Sequence, residues 1–471
     1  MTPPVPAARR PSAALLWVLL AAMGAGPLFN YGVSAASTVV MERLDVTSGQ
    51  LGTVMTVVFA AAAVTSLGLG RAADRLSARA QLSIIFGGTA AALVLAGGAV
   101  TGLGTSMLRP DDAASPAEAA VQEPIGDPSN TTRLVHRDRI TGDISPKSVV
   151  ASPAGDVIAN NMMYNHTSTL YDASSLELAA TVPDTVDLAE FGYPDRAGET
   201  KGAPVEAVFS PDGKFAYVSQ YSLKGPGAGE TATDDCAAGD AIGNSAVYRL
   251  DLETKEWDQV IEVGRVPKFI SLSSDGSAAL VSNWCDSSVS VVDLERGEEV
   301  RQIPVDSAPR GSVVLPDNRT AYVTAMYADE LYRVDLVTGE SELVLETGRK
   351  PRHLVLSPDA SRMYLTESGD DRLLELDTAT GEVLREVATG REPRTMAISP
   401  DGLALYVVNY YANTVTKFDA ETLEEIQTVE VGQNPIGITY EPTHGRVWVA
   451  NYAGSIDVFD DTAPRDGTME P

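Results

Sequence analysis

Five cationic residues occupy one recurring position in this chain. Lys147, Lys268, Arg310, Arg352 and Arg394 each directly follow a proline, while the equivalent prolines Pro204 and Pro435 are followed by Val205 and Ile436. Arg265, Arg349 and Arg391 stand two residues before three of the same prolines. Cations that converge between low-dielectric walls bind carboxylates or phosphates, arginine bidentately. The competing account is that each pairs with a nearby carboxylate such as Asp329, Asp370 or Glu392. Two residues after the proline, Glu206 and His353 are the groups able to act as general acid or base on a ligand held between them. The other reading makes them solvated channel residues. A set of aromatics that includes Trp284, Tyr327, Tyr410 and Tyr452 follows the second apolar run of each repeat. Aromatics around an opening suit recognition of a partner or a sugar.

Other chemistries are poorly served. The chain has no nucleophile elbow, phosphate loop or haem-attachment motif, and its two cysteines and four scattered histidines lack metal-ligand spacing. No metal and no cofactor is expected.

These residues are positioned by a repeat. The prolines at 146, 204, 267, 309, 351, 393 and 435 mark seven units, with steps of 42 residues from Pro267 onward and of 58 and 63 before it. Each unit carries four short apolar runs separated by turn chemistry. In the fifth, Leu354–Leu356 is followed by Ser357-Pro358-Asp359, then Met363–Thr366, Leu373–Leu376, Thr380-Gly381-Glu382 and Val383–Val387. Four antiparallel strands in such a period describe a propeller blade, so the expected fold is an all-β, seven-bladed β-propeller of four-stranded blades. Its second strands, Tyr217-Val218-Ser219-Gln220, Tyr322-Val323-Thr324-Ala325, Tyr406-Val407-Val408-Asn409 and Trp448-Val449-Ala450-Asn451, resemble the signature of YVTN-repeat propellers. That family is similar in architecture to the seven-bladed lactonase-type propellers. The resemblance covers residues 131–462 and implies the fold; a propeller by itself supports many functions.

The first 109 residues are a different material. Uncharged stretches run over Pro11–Met41, Leu51–Gly70 and Leu82–Leu108, each reaching the ~20 residues a helix needs to cross a bilayer. Three transmembrane helices are therefore expected ahead of the propeller. Basic residues at Arg9, Arg10, Arg71, Arg75 and Arg79 place two of the connecting ends in the cytoplasm, which puts the propeller on the extracytoplasmic side of a multi-pass membrane protein. A cleaved signal peptide is the alternative for the first stretch. The segment containing Gly70, Asp74, Arg75 and Arg79 resembles the cytoplasmic loop motif of major facilitator transporters. Because alternating access needs two helical bundles around a midplane site, the resemblance implies a transporter-derived anchor or a component of a transport assembly. Residues 110–130, rich in Pro, Ala and acidic groups, read as a linker, and 463–471 as a tail. Residues 1–110 hold seven Lys/Arg against three Asp/Glu, +4, so the remainder of a chain of net charge −29 carries −33. An acidic domain of that size repels nucleic acid.

Closure and insertions complete the reading. The seventh unit lacks a fourth run, and Thr132–Ile140 is a spare strand expected to complete it, since an open ring would leave an unpaired edge. The extra residues before Pro204 and before Pro267 fall in loops of one face, here called the top, as a partial lid. Cys236 and Cys285, in matching top loops of neighbouring blades, are within reach of a disulfide. The first functional reading is a non-enzymatic module that binds an anionic small molecule or a cell-envelope partner through the top face. The alternative is a lactonase-like hydrolase using Glu206, His353 and the cations.

Overall fold

The computed structural model describes residues 127–226, 228, 236–237 and 243–464, all within the second of two units of the chain, residues 120–471. The three expected membrane spans and Gly70, Asp74, Arg75 and Arg79 lie outside the described residues. Among the described residues no helix is long and apolar enough to cross a membrane.

Seven four-stranded antiparallel sheets follow one another around a ring. Their innermost strands are Ser148–Ala151, Pro204–Phe209, Pro267–Leu272, Pro309–Val314, Pro351–Leu356, Pro393–Ile398 and Pro435–Glu441 in blades one to seven, and each packs against the innermost strand of the next blade, the last against the first. This is the expected seven-bladed propeller. Thr132–Thr141 pairs antiparallel with the final strand Ser455–Pro464, as the outermost strand of blade seven. The two ends of the propeller thus share one sheet, and each blade has four strands.

The core lies between blades rather than within one. Seven clusters of buried side chains each fill the wedge between two neighbours, for example Ile158, Leu170, Ala207, Phe209 and Val218 between blades one and two, and Val149, Val157, Trp448, Ala450 and Val458 between seven and one. Both faces of every blade are therefore buried, and consecutive residues of the second strand serve opposite wedges. The Tyr-Val pairs show how. Val218 packs toward blade one and Tyr217 toward blade three. The tyrosine also reaches the following blade with its hydroxyl: Tyr322 Oη donates to Thr378 O at 2.8 Å, and Tyr364 Oη to Ala420 O at 3.2 Å.

The last residue of the second strand explains the remainder of the signature. Asn161, Asn283, Asn409 and Asn451 are fully buried and donate to hydroxyls of their own third strand, Asn409 to Thr414 and Thr416 at 3.1 and 3.0 Å. Three residues before the proline, Gly264, Gly390 and Gly432 lie against Asn283, Asn409 and Asn451, and an added Cβ would come within 2.7 Å of each amide. Blade four has Ala325 at the strand end and Asp306 where the glycine would be.

The turns of the opposite face are closed by acidic side chains. Asp172, Asp251, Asp293, Asp335, Asp377 and Asp419 accept backbone N–H groups two or three residues ahead, as Asx turns. Asp460 departs from the pattern and pairs with Arg446 and Arg137, because its strand runs on to Pro464 instead of turning. At the seam, Lys417 Nζ, fully buried in blade six, donates to Asp461 Oδ1 at 2.5 Å and to Thr132 O and Oγ1 at 3.1 and 2.9 Å. Tyr406 Oη donates to the other oxygen of Asp461.

Candidate functional site at the channel mouth

The innermost strands do not alternate from their first residue. Register slips between Pro204 and Glu206, Pro267 and Phe269, Pro309 and Ser312, Pro351 and His353, Pro393 and Met396, and Pro435 and Gly437. A bulge of this kind re-aims the side chain it carries. In blades three to six the carried residue is Lys268, Arg310, Arg352 or Arg394. The residue before the proline holds positive φ in five blades, at Val266, Ala308, Lys350, Glu392 and Asn434, so each strand begins from a sharp corner. The second residue after the proline does not open on the channel in every blade. An added Cβ at Gly311 would meet Arg352 O at 2.5 Å, and one at Gly437 would meet Ser148 Cα at 2.9 Å, so these positions abut the neighbouring strand.

Lys147, Glu206 and Arg310 are buried together, and Lys268 nearly so. Arg310 donates to Lys268 O at 2.6 Å. Burial brings its guanidinium down to about 10, opposed by Glu206. Burial also holds the Lys147 amine well below the ordinary lysine range, and Arg310 reinforces it while Glu206 opposes. Lys147 Nζ has no hydrogen-bond partner among the described residues. Glu206 is raised by burial and pulled back by Lys147 and then Arg310. Arg352 is half-buried. Its Nη1 lies 4.0 Å from Met326 Sδ, its Nε is enclosed without a hydrogen-bond partner among the described residues, and burial followed by Arg394 and Arg310 lowers its pKa.

His353 shares this environment. Burial, then Arg310, Arg352 and Lys147, lower its pKa to about 3. Its Nδ1 accepts the Met396 N–H at 3.4 Å, which assigns the proton of the neutral ring to Nε2, and the ring packs edge-on against Phe269 at 5.2 Å between centroids. Glu206 and His353 make no hydrogen bond to each other among the described residues. They are joined electrically through Lys147 and Arg310, which act on both.

The remaining candidates divide. Arg394 pairs with Glu392 at 2.5 Å and lies 3.3 Å over the Tyr410 ring. Lys268 Nζ lies 4.3 Å from the Tyr221 centroid and 5.1 Å from that of Trp284, and Trp284 meets Tyr327 edge-on at 4.9 Å. Tyr327 is 61% exposed, and Tyr452 is half-buried, its amide donating to Asn434 O. The second tier of arginines is engaged locally. Arg265 pairs with Asp286, Arg349 with Asp370 at 2.7 Å, and Arg391 stacks 5.1 Å over Tyr411. Asp329 pairs with no cation of the ring; it accepts the Lys350 N–H at 2.8 Å. Ser148, Phe269 and Met326 belong to the site although residue type gave no reason to choose them. Ser148 and Phe269 share the repeat position of Glu206 and His353, and that position was the available signal.

The two insertions are linked to each other and to blade three. Cys236 and Cys285 form a disulfide with Cα atoms 5.1 Å apart, joining the blade-two insertion to blade three. Lys201 and Lys224 exchange backbone hydrogen bonds at 2.8 Å, joining the blade-one exit loop to the same insertion. Among the described residues no group of His, Cys, Asp and Glu could hold a metal ion.

Residues 367–469 match the family model described as "Lactonase, 7-bladed beta-propeller". No curated protein matches the chain. Among solved structures, the chain is similar to a chain of Kuenenia stuttgartiensis hydrazine synthase (TM-score 0.53, 21% identity, covering 68% of this chain and 96% of that one). It is also similar to a chain of a mitotic checkpoint complex (TM-score 0.56, 10% identity, covering 76% and 98%). At these identities the likeness concerns fold alone. The closed ring of four-stranded sheets makes this protein a seven-bladed β-propeller, and its last blades are similar to the lactonase-type propellers.

Proposed function

We propose that this protein is a ligand-binding propeller, tethered to a membrane by its N-terminal apolar stretches and displayed on the extracytoplasmic side, and that the mouth of its channel takes an anionic group of a small molecule or envelope partner. The observation that carries the reading is the excess of buried cations. Lys147, Lys268, Arg310 and Arg352 act on one another beside the buried carboxylate of Glu206, and Lys147 Nζ and Arg352 Nε have no hydrogen-bond partner among the described residues. An enclosed like-charge cluster of this kind is stabilised by an anion. A lactonase-like hydrolase is the second reading, favoured by the family match and by an acid and a neutral imidazole in one electrostatic field.

One titration series tests both. Wild type and Arg352→Ala are titrated with carboxylates and phosphates, and the variant is expected to bind more weakly by about 1.5–3 kcal/mol, the range of a charge-assisted hydrogen bond. Equal binding by both proteins would overturn the anion site. Glu206→Gln and His353→Asn are assayed alongside on lactones. Retained binding without any hydrolysis by wild type supports the binding module, and hydrolysis by wild type that the variants lose supports the enzyme.

A further inference from the structure

Residues 142–147 cross from the closing strand of blade seven to the innermost strand of blade one. Between this crossover and the two outer strands of blade one, Thr167–Asp172 and Leu178–Pro183, lies a cavity of about 310 Å³. Alternate residues of one strand, Thr167, Thr169 and Tyr171, form its floor, about 13 Å from end to end at the usual rise of a strand. Ile140 and Ile144 wall it on the crossover side, Leu176 and Leu178 on the side of blade one. Its mouth is open: Gly142, Asp143 and Thr181 are exposed, and an added Cβ at Gly142 would meet nothing within 4 Å.

The hydroxyls of the floor are already engaged. Asn161 donates to Thr167 and Thr169 at 3.3 and 3.2 Å, Thr169 donates to Ala159 O at 3.3 Å, and Tyr171 has Thr169 as its partner. The floor therefore offers a ligand methyl and ring carbon, and a sugar would find few partners there. The charge at the mouth belongs to Asp143, which accepts from Asn165 Nδ2 and makes no ion pair among the described residues. An aliphatic slot that ends in a carboxylate suits a straight hydrocarbon stem with a positive head, because such chains lay their carbon along apolar surface and keep the charge in water.

We propose that this cavity binds a primary alkylammonium group, free or at the end of a lysine side chain, with its carbons between Ile140, Ile144, Leu176 and Leu178 and its nitrogen on Asp143. Its volume stands at the lower end of small-ligand pockets, which fits a ligand of this size. The site takes a cation, opposite in charge to the group proposed for the channel mouth, and stands independently of that reading.

The test titrates the full chain in detergent micelles with pentylamine at neutral pH, by calorimetry with the heat of empty micelles subtracted. Saturable binding is expected, weakened about 5-fold in Asp143→Asn, the factor one exposed ion pair carries, and lost in Thr181→Trp, whose ring would fill the slot. Pentanamide, of similar length and uncharged, is expected to bind wild type about 5-fold more weakly than the amine does, on the same ground. A short peptide with one lysine separates the sources: tighter binding than pentylamine assigns the site to a protein side chain, weaker binding to a free amine. Wild type that binds no pentylamine, or binds pentanamide as tightly, overturns the proposal, as does undiminished amine binding by natively folded Asp143→Asn.

Discussion

His353 carries a pH dependence that can be read at the scale of one side chain. Its folded pKa, about 3, lies below the ordinary 6.5, first through burial and then through Arg310, Arg352 and Lys147. Between these values the unfolded chain binds a proton that the folded one refuses. The contribution is therefore fully present above about pH 6.5 and is lost as pH falls toward 3, at no more than about 1.4 kcal/mol per pH unit. Urea unfolding of wild type and His353→Asn should show the wild type losing more stability between neutral pH and pH 4. Parallel curves would mean that the imidazole is protonated in the fold. The same neutrality bears on the hydrolase reading, since an imidazole that stays unprotonated can accept a proton and cannot arrive carrying one.

At the scale of the strand, the pairing of a glycine with a buried asparagine is a constraint that crosses from one blade to the next. An added Cβ at Gly390 would sit 2.6 Å from Asn409 Cγ. Gly390→Ala should thus cost about 1–3 kcal/mol by overpacking. Asn409→Ala should cost a similar amount, because its two bonds to Thr414 and Thr416 are lost. The two changes share one volume, so the double variant should cost less than the sum, as contacting residues do. Blade four already carries the permissive combination, Asp306 with Ala325. Chemical denaturation of the four proteins checks this, and strict additivity would refute the shared-volume account.

At the scale of the molecule, the ring is held shut at one seam. Thr132 and Asp461, at the two ends of the propeller, both meet Lys417, which has no exposed side-chain surface. Removing one partner of a buried ion pair leaves the other charge stranded, at a cost of about 3–5 kcal/mol. Lys417→Ala should therefore destabilise the propeller by that amount in a denaturant titration. An effect below about 1 kcal/mol, the scale of an exposed pair, would show that the seam is held by strand pairing alone.

The repeat itself was legible in the residues. Period, turn chemistry and alternating apolar runs are local properties, and seven copies of each make blade number, strand number and the borrowed closing strand readable before any coordinates. The cations after the repeat prolines were legible for the same reason. Their surroundings were not. Lys417 meets Thr132 across 285 residues and Arg310 meets Lys268 O across 42, and no local pattern reports which groups a ring brings together. The bulge after six of the seven repeat prolines, the burial that lowers the Lys147 pKa, and the pairing that engages Arg265 and Arg349 while Lys147 Nζ has no hydrogen-bond partner among the described residues were decided by tertiary structure. The physical reason is that chain order determines which strands neighbour one another, whereas the free energy of a charge depends on everything packed around it.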